Sequence, residues 1–537
     1  MNAPRAAAAL VTTLALLPAR PVRAAPTESA DVIVTAGAVL TVDRDFRVLP
    51  EASVAIRGGV IVAIDDPAKI AKRFTAKERI ERPGAILMPG LVNTHTHAAM
   101  SLLRGIADDQ PLMEWLQKSI FPAEAKNVSA AFVRDGTNLA MAEMIRSGTT
   151  TFADMYYFED DVARAVDAAG MRAVLGETWL DVPAPDNKTG DAARAYTKRF
   201  LETWKGNPRI RAAIAPHAPY TCSAGTYRAA RELADLYDAP LLTHLSETRD
   251  EQKTIHEKYG MTPAKWLDSI GFLGPRLVAA HGVWLSDEDL ALLVKDGVAL
   301  SHNPESNMKL GSGIAPVSKA VAAGMVVGLG TDGPAGSNND FDMFEAMDFA
   351  GKLAKVASLD PTALPARELI RMATIDGARA LGLAQKIGSI EVGKEADLIA
   401  VDLGRERDRP IYDVASTLVY SAKAGDVTLT LVRGRVLFDG RSVRTIDEAA
   451  SGSRRRSAAR PPSRSQCTCR RPRGTSRASR QDARASRSGP FSAARAGSLD
   501  ATAGAADIIS SSGRMRKMRD SSERSSPSFR RAFIAPR

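Results

Sequence analysis

Eight short apolar runs constrain this chain more than any other feature. Each is closed by polar, imidazole or carboxylate residues, and each is followed by a helical pattern. The first is Ala85-Ile-Leu-Met88, continued by Leu91-Val92 into Asn93-Thr-His95-Thr-His97. The others lie at 149–154, 172–177, 210–217, 240–244, 277–281, 298–302 and 326–332. Alternating strand and helix signals mark βα units around a parallel sheet. Eight of them over about 250–300 residues is the count of a TIM-type (β/α)8 barrel. Six of the seven histidines fall at the C-terminal end of such a run, and only His256 sits inside a helical pattern. That end of the strands is where barrels build their sites.

His95 and His97 stand two apart on one strand and so point to the same face, as two ligands of one metal must. A single divalent ion needs three or four nitrogen and oxygen ligands and an open position. His95, His97, His244 and Asp332 are the expected set; Asp332 ends the eighth run inside Gly330-Thr-Asp-Gly333. Glu247, three residues past His244, puts a carboxylate near the ion without having to bind it, the place of a general acid/base. His281 is expected to orient the attacking oxygen. Singly, Asp332 also fits a turn aspartate and Glu247 a helix N-terminal carboxylate. His217 and His302 also fit hydrogen-bonded core histidines. Together they point to a metal site at a barrel mouth.

Both ends of the body are β-rich, at 30–42 with 52–64 and at 388–401 with 427–438. They predict a small β-sandwich domain made of residues 26–86 and 386–448, flanking a barrel over 87–385. The formal charge of +10 belongs to the far end: from Ser451 onward there are 21 Lys+Arg against 5 Asp+Glu. Residues 1–450 are net acidic, so no nucleic-acid surface is expected on the body. The Arg/Ser-rich tail, 449–537, has no periodic apolar pattern and is expected to be disordered.

Residues 1–25 join a basic start, the apolar stretch Ala6–Leu17 and small residues at Ala24-Ala25, the parts of a signal peptide. That predicts a periplasmic or secreted protein, cytoplasmic if the leader is only an extension. No later segment is apolar for long enough to span a bilayer. Cys222, Cys467 and Cys469 make neither a disulfide framework nor a zinc site, and Cys222 reads as a buried thiol.

The chain resembles the amidohydrolase superfamily, in particular the methylthioadenosine/S-adenosylhomocysteine deaminases and their chlorotriazine-hydrolase relatives. Carrying the resemblance are Asn93-Thr-His-Thr-His-Ala-Ala-Met100 with Leu103-Arg-Gly105, Ala215-Pro-His-Ala-Pro-Tyr220, Thr243-His-Leu-Ser-Glu-Thr248, Ser301-His-Asn-Pro-Glu-Ser-Asn-Met-Lys309 and Gly330-Thr-Asp-Gly333. It implies one metal ion, zinc by preference with iron, manganese or nickel as substitutes, on His95, His97, His244 and Asp332. A second ion would call for a carboxylated lysine where His217 stands. The resemblance also implies that His217 and Glu247 touch a purine nucleoside, that Glu124 binds the ribose hydroxyls and that Trp115 packs near the base.

The implied reaction is hydrolytic deamination of methylthioadenosine, S-adenosylhomocysteine or adenosine to the inosine product and ammonia. Asp332 takes a proton from metal-activated water, and Glu247 protonates ring nitrogen N1. Glu177 stands where the family has an arginine for a carboxylate tail, and Arg194 is a loose candidate for a second such cation. The alternatives are a deaminase or dechlorinase of a triazine, pterin, cytosine or guanine, and a non-catalytic binding protein on the same scaffold. A small-molecule substrate, no membrane partner and a homo-oligomer are expected.

Overall fold

In the computed structural model, residues 28–448 are described. The expected signal peptide (1–25) and tail (449–537), with Cys467 and Cys469, lie outside them. The central strands are β5 (Leu91–Thr96), β6 (Thr149–Tyr156), β7 (Arg172–Trp179) and β8 (Ile210–Pro216), then β9 (Leu241–Leu245), β10 (Leu277–His281), β11 (Ala299–His302) and β12 (Val327–Leu329). They pair in parallel and close into a barrel, with β12 against β5. All eight fall on the apolar runs of the sequence. Every residue of β5, β6 and β7 is buried, as expected for parallel strands covered on both faces. Several surrounding helices start at a Ser or Thr whose hydroxyl caps the first turn, among them Ser129, Thr189, Ser223, Thr248 and Ser286.

Both ends of the body contribute to a second sheet. Its strands are β1 (Glu28–Leu40), β2 (Val48–Arg57), β3 (Val60–Asp65) and β4 (Phe74–Pro89), with β13 (Leu398–Asp402), β14 (Val427–Val432) and β15 (Arg435–Phe438). The order is β15-β14-β13-β4-β1-β2-β3, antiparallel except for the β1–β4 pair. Val34, Val54, Ile61, Leu87, Leu398 and Leu431 form its core. At β4 the two ends meet: β13 returns from the far end of the barrel and pairs Leu398 with Pro89. Gly90 then separates β4 from β5, so the sheet holds the root of the strand that carries His95 and His97.

Arg172, at the start of β7 and 1% exposed, ties barrel to sheet. Its Nε donates to Asp397 Oδ2 at 2.8 Å, and its Nη2 to Glu395. Removing one partner of a buried ion pair strands the other charge, at about 3–5 kcal/mol. Arg172→Met is therefore expected to lower the unfolding free energy by about that amount. Urea titration of the metal-loaded protein measures it, and a loss below about 1 kcal/mol would show the pair to be solvated. Among the described residues, no helix is long and apolar enough to cross a membrane.

Candidate metal and catalytic site

Register brings the expected ligands together. Where the barrel closes, Thr96 bridges Asp332, whose backbone N–H donates to the His95 carbonyl at 3.0 Å. Asp332 Oδ1 then lies 3.5 Å from His95 Nε2 and 3.2 Å from His97 Nε2. Across the barrel the His244 N–H donates to the His217 carbonyl at 2.9 Å, and His244 Nε2 comes within 3.4 Å of His97 Nε2. Gly330 makes this approach possible, since a Cβ there would strike Asn303 Oδ1 and Ser301 Oγ. Asp332 and His281 both hold positive φ, +62° and +75°, a conformation non-glycine residues adopt rarely and often at functional sites.

The donor set fits a divalent ion. His97 Nδ1 faces the Met155 carbonyl at 2.6 Å and His244 Nδ1 the His217 carbonyl at 2.8 Å. A carbonyl only accepts, so each Nδ1 carries the proton and each Nε2 turns inward, the arrangement of a metal-ligating histidine. His95 Nε2 is buried without a hydrogen-bond partner. Inward nitrogens this close, beside a carboxylate, call for positive charge between them. Burial pushes His95 down to about 4, whereas the Asp332 carboxylate outweighs burial at His97 and holds it up at about 9. Two overlapping groups, His95 with His97 and His244, and His95 with His281 and Asp332, bring their ligand atoms within 4.8 Å of one another.

A cleft opens beside this cluster. His97, His217, His244, Glu247, His281 and Asp332 line its floor, and Glu124 and Trp115 line its walls. Glu247 Oε2 lies 3.9 Å from His281 Nε2, and His281 Nδ1 meets Asn307 Oδ1 at 3.0 Å. Burial pushes the Glu247 carboxyl up. Glu124 accepts from the Tyr156 hydroxyl at 2.8 Å, and burial pushes it up to about 7. The Trp115 indole donates to the Ala335 carbonyl at 2.9 Å, which fixes its ring in the wall.

A model of the amidohydrolase family matches residues 86–437, the barrel together with its flanking strands. The chain belongs to the amidohydrolase family. A 5-methylthioadenosine/S-adenosylhomocysteine deaminase of Syntrophobacter fumaroxidans is 49% identical over 418 residues, 78% of this chain and 95% of the relative. A 5'-deoxyadenosine deaminase of Methanosarcina acetivorans is 46% identical over 421 residues, with the same shares. Among solved structures, an adenosine deaminase of Xanthomonas campestris with bound zinc superposes at a TM-score of 0.79 and 41% identity, covering 81% of this chain and 98% of that one. An atrazine chlorohydrolase of Arthrobacter aurescens complexed with zinc shares the fold at 24% identity and a TM-score of 0.72, covering 80% of this chain and 99% of that one. This amidohydrolase is a deaminase enzyme.

One expectation for this amidohydrolase site needs correcting. Glu177 does not face the cleft; its neighbour Thr178 does. Glu177 is turned to the helical layer, where Oε2 accepts from the Glu159 backbone N–H at 3.1 Å and Oε1 from Asn187 at 3.0 Å. It caps the helix Glu159–Ala169 and tethers the 180–189 loop. Arg194 is exposed on the helix Gly190–Trp204, away from the lining. Neither residue is among those lining the cleft.

Other residues came to light only in the structure. Ser306 Oγ donates to Asp332 Oδ2 at 2.6 Å. Glu251 accepts from the backbone N–H groups of Ser246 and Glu247 at 2.9 and 2.8 Å, and so sets the direction of Glu247. Ser306 and Asn307 lie in the quoted Ser301–Lys309 motif, and Glu251 follows Glu247 by four residues, so the signal was there without a geometry to interpret it. His302 is buried with no partner at Nδ1 and stays outside the lining. Cys222 is a buried free thiol that burial pushes up to about 12, an inert state at neutral pH.

Proposed function

We propose that this enzyme hydrolytically deaminates an adenine nucleoside whose 5' substituent is uncharged, 5'-methylthioadenosine or 5'-deoxyadenosine before S-adenosylhomocysteine. The observation that carries this reading is that Glu247, His281 and Asp332 share a floor with the inward imidazoles of His97 and His244, in a cleft walled by Glu124. The names of the relatives at 46–49% identity support the adenine nucleoside. Met100, Leu112, Leu116, Ile120, Phe121 and Leu310 make much of the wall apolar, and among the described residues no lysine or arginine lines it. A carboxylate tail would lose its water there without gaining a partner.

His95, His97, His244 and Asp332 would hold a divalent ion, zinc by preference. Such an ion supplies Lewis acidity that brings the pKa of water toward neutrality. Asp332 is placed to take the proton of the attacking water, its Oδ2 held by Ser306 and its Oδ1 by the Gly333 N–H at 2.7 Å. Asn307 holds the His281 ring so that Nε2 faces the oxygen arriving at C6. Glu247, whose carboxyl burial pushes up, gives its proton to ring nitrogen N1 as the C6–O bond forms. Asp332 passes the proton it took to the exocyclic amine, the C6–N bond breaks and ammonia leaves, and the C6 hydroxyl proton returns to Glu247 to give the 6-oxo product. Glu124 accepts from the ribose hydroxyls, and His217, pushed down to about 3 by burial and by His97, stays neutral beside the base.

Ammonia release from the zinc-loaded enzyme tests this, with 5'-methylthioadenosine, 5'-deoxyadenosine, adenosine, S-adenosylhomocysteine, cytosine, guanine and a chlorotriazine as substrates. The expected kcat/KM is highest for the two nucleosides with apolar 5' groups. It is expected to be about 10-fold or more lower for S-adenosylhomocysteine, the worth of one unpaired charge. A preference for guanine, cytosine or the triazine would overturn the reading.

A further inference from the structure

Away from the cleft, a second group of ligand-type side chains converges. Glu305 lies on the helix Pro304–Lys309 after β11, Asp340 on the loop after β12, and Glu345 on the helix Met343–Ser358. One carboxylate oxygen from each lies within 4.8 Å of the other two, and none of the three lines the cleft. Glu305 is only 6% exposed, and its Oε1 is buried with no hydrogen-bond partner. Its other oxygen is spoken for, accepting from Asn338 Nδ2 at 3.0 Å. Among the described residues no lysine or arginine pairs with any of the three; Lys423, which acts on Glu345 from a distance, is 3.9 Å from Asp348 instead. Burial and the charges of Asp340, Glu345 and Asp342 drive Glu305 well above the usual carboxylate range.

Three carboxylates gathered around a buried, unpartnered oxygen need a counter-charge. A proton on Glu305 would relieve part of this charge but leave Asp340 and Glu345 without a counter-charge. One oxygen from each, drawn in by a small side-chain shift, can sit about 2.3–2.6 Å from one centre, the distances of calcium. An all-oxygen set selects a hard cation over zinc, whereas the imidazole cluster does the reverse. We propose that Glu305, Asp340 and Glu345 form a second, structural cation site that takes a hard divalent ion of the calcium class. The ion straps the loop after β12 to the helix after β11. That strap matters to the cleft because Ser306, next to Glu305, holds Asp332. Asn338, which donates to Glu305, also donates to the Thr331 carbonyl at 3.0 Å. Ser337, on the strapped loop, lines the cleft.

Equilibrium dialysis of the zinc-loaded enzyme against calcium, read by elemental analysis and by the thermal midpoint, tests the site. Wild type is expected to bind stoichiometric calcium in addition to its zinc, with a rise in Tm. Asp340→Asn and Glu345→Gln, both at half-buried positions, each remove one unit of ligand charge and are expected to weaken calcium binding by about 10-fold or more with zinc content unchanged. Glu305→Gln discriminates further: it keeps the shape of a protonated carboxyl, so it should fold yet lose the calcium-dependent rise in Tm. The proposal is overturned if wild type binds no calcium. Equal calcium binding by Asp340→Asn and Glu345→Gln, or an undiminished Tm rise in Glu305→Gln, would overturn it as well.

Discussion

Glu247→Gln is expected to lower kcat by about 10²–10⁴-fold, the usual contribution of a positioned acid/base, while zinc content stays stoichiometric. Glutamine fills the same space and can still accept the backbone setting imposed by Glu251, so neither folding nor the imidazole cluster has reason to change. What it lacks is a transferable proton. Burial pushes the Glu247 carboxyl up, against the pull of His281, so its protonated form persists to higher pH than that of an ordinary glutamate. Because that form is the one used, wild-type kcat should decline as pH rises through this raised value, and the glutamine variant should lack that limb. Steady-state ammonia release across pH, with zinc measured on the same samples, gives both readouts. Turnover equal to wild type would remove Glu247 from the proton path. A parallel loss of zinc would make it a ligand instead.

The barrel was legible because its strands are covered on both faces and so appear as uninterrupted apolar runs, with the polarity change at each C-terminal end marking where β5, β9 and β10 stop. His95 and His97 could be paired on strand periodicity alone. Their meeting with Asp332 depends on the closure of β12 against β5, which a linear pattern cannot give; the bridge from Thr96 to Asp332 supplies it. The return of β13 to β4 was foreshadowed by the two β-rich ends, although the parallel β1–β4 pairing was not.

Glu177 shows where linear reasoning fails. Its family position suggests a residue at the cleft, but strand parity decides the matter: with Thr178 facing in, Glu177 faces out and caps a helix. The proposed preference for an uncharged tail therefore rests on the apolar cleft wall and not on this carboxylate. Ser306 and Glu251 act through hydrogen bonds to Asp332 and to the Glu247 backbone, contacts that need loop geometry before their roles can be assigned.

His97→Ala is expected to abolish stoichiometric zinc and turnover together. The ring is positioned from behind by the Met155 carbonyl, which makes Nε2 the end turned toward Asp332 and His244. Loss of a partner that merely orients a ligand costs about 10–100-fold in metal affinity. Removal of the ligand itself should exceed that, since His95, His244 and Asp332 would remain with a gap where an imidazole had been. Asn307→Ala is the matched control. It frees the His281 ring, which is outside the proposed ligand set, and should lower kcat while zinc stays bound. Elemental analysis after dialysis separates the two, with circular dichroism confirming that both variants are folded. The ligand assignment predicts zinc loss only in the first. Stoichiometric zinc in His97→Ala would place the ion on a different set of donors and take Asp332 out of its role in accepting the proton of water.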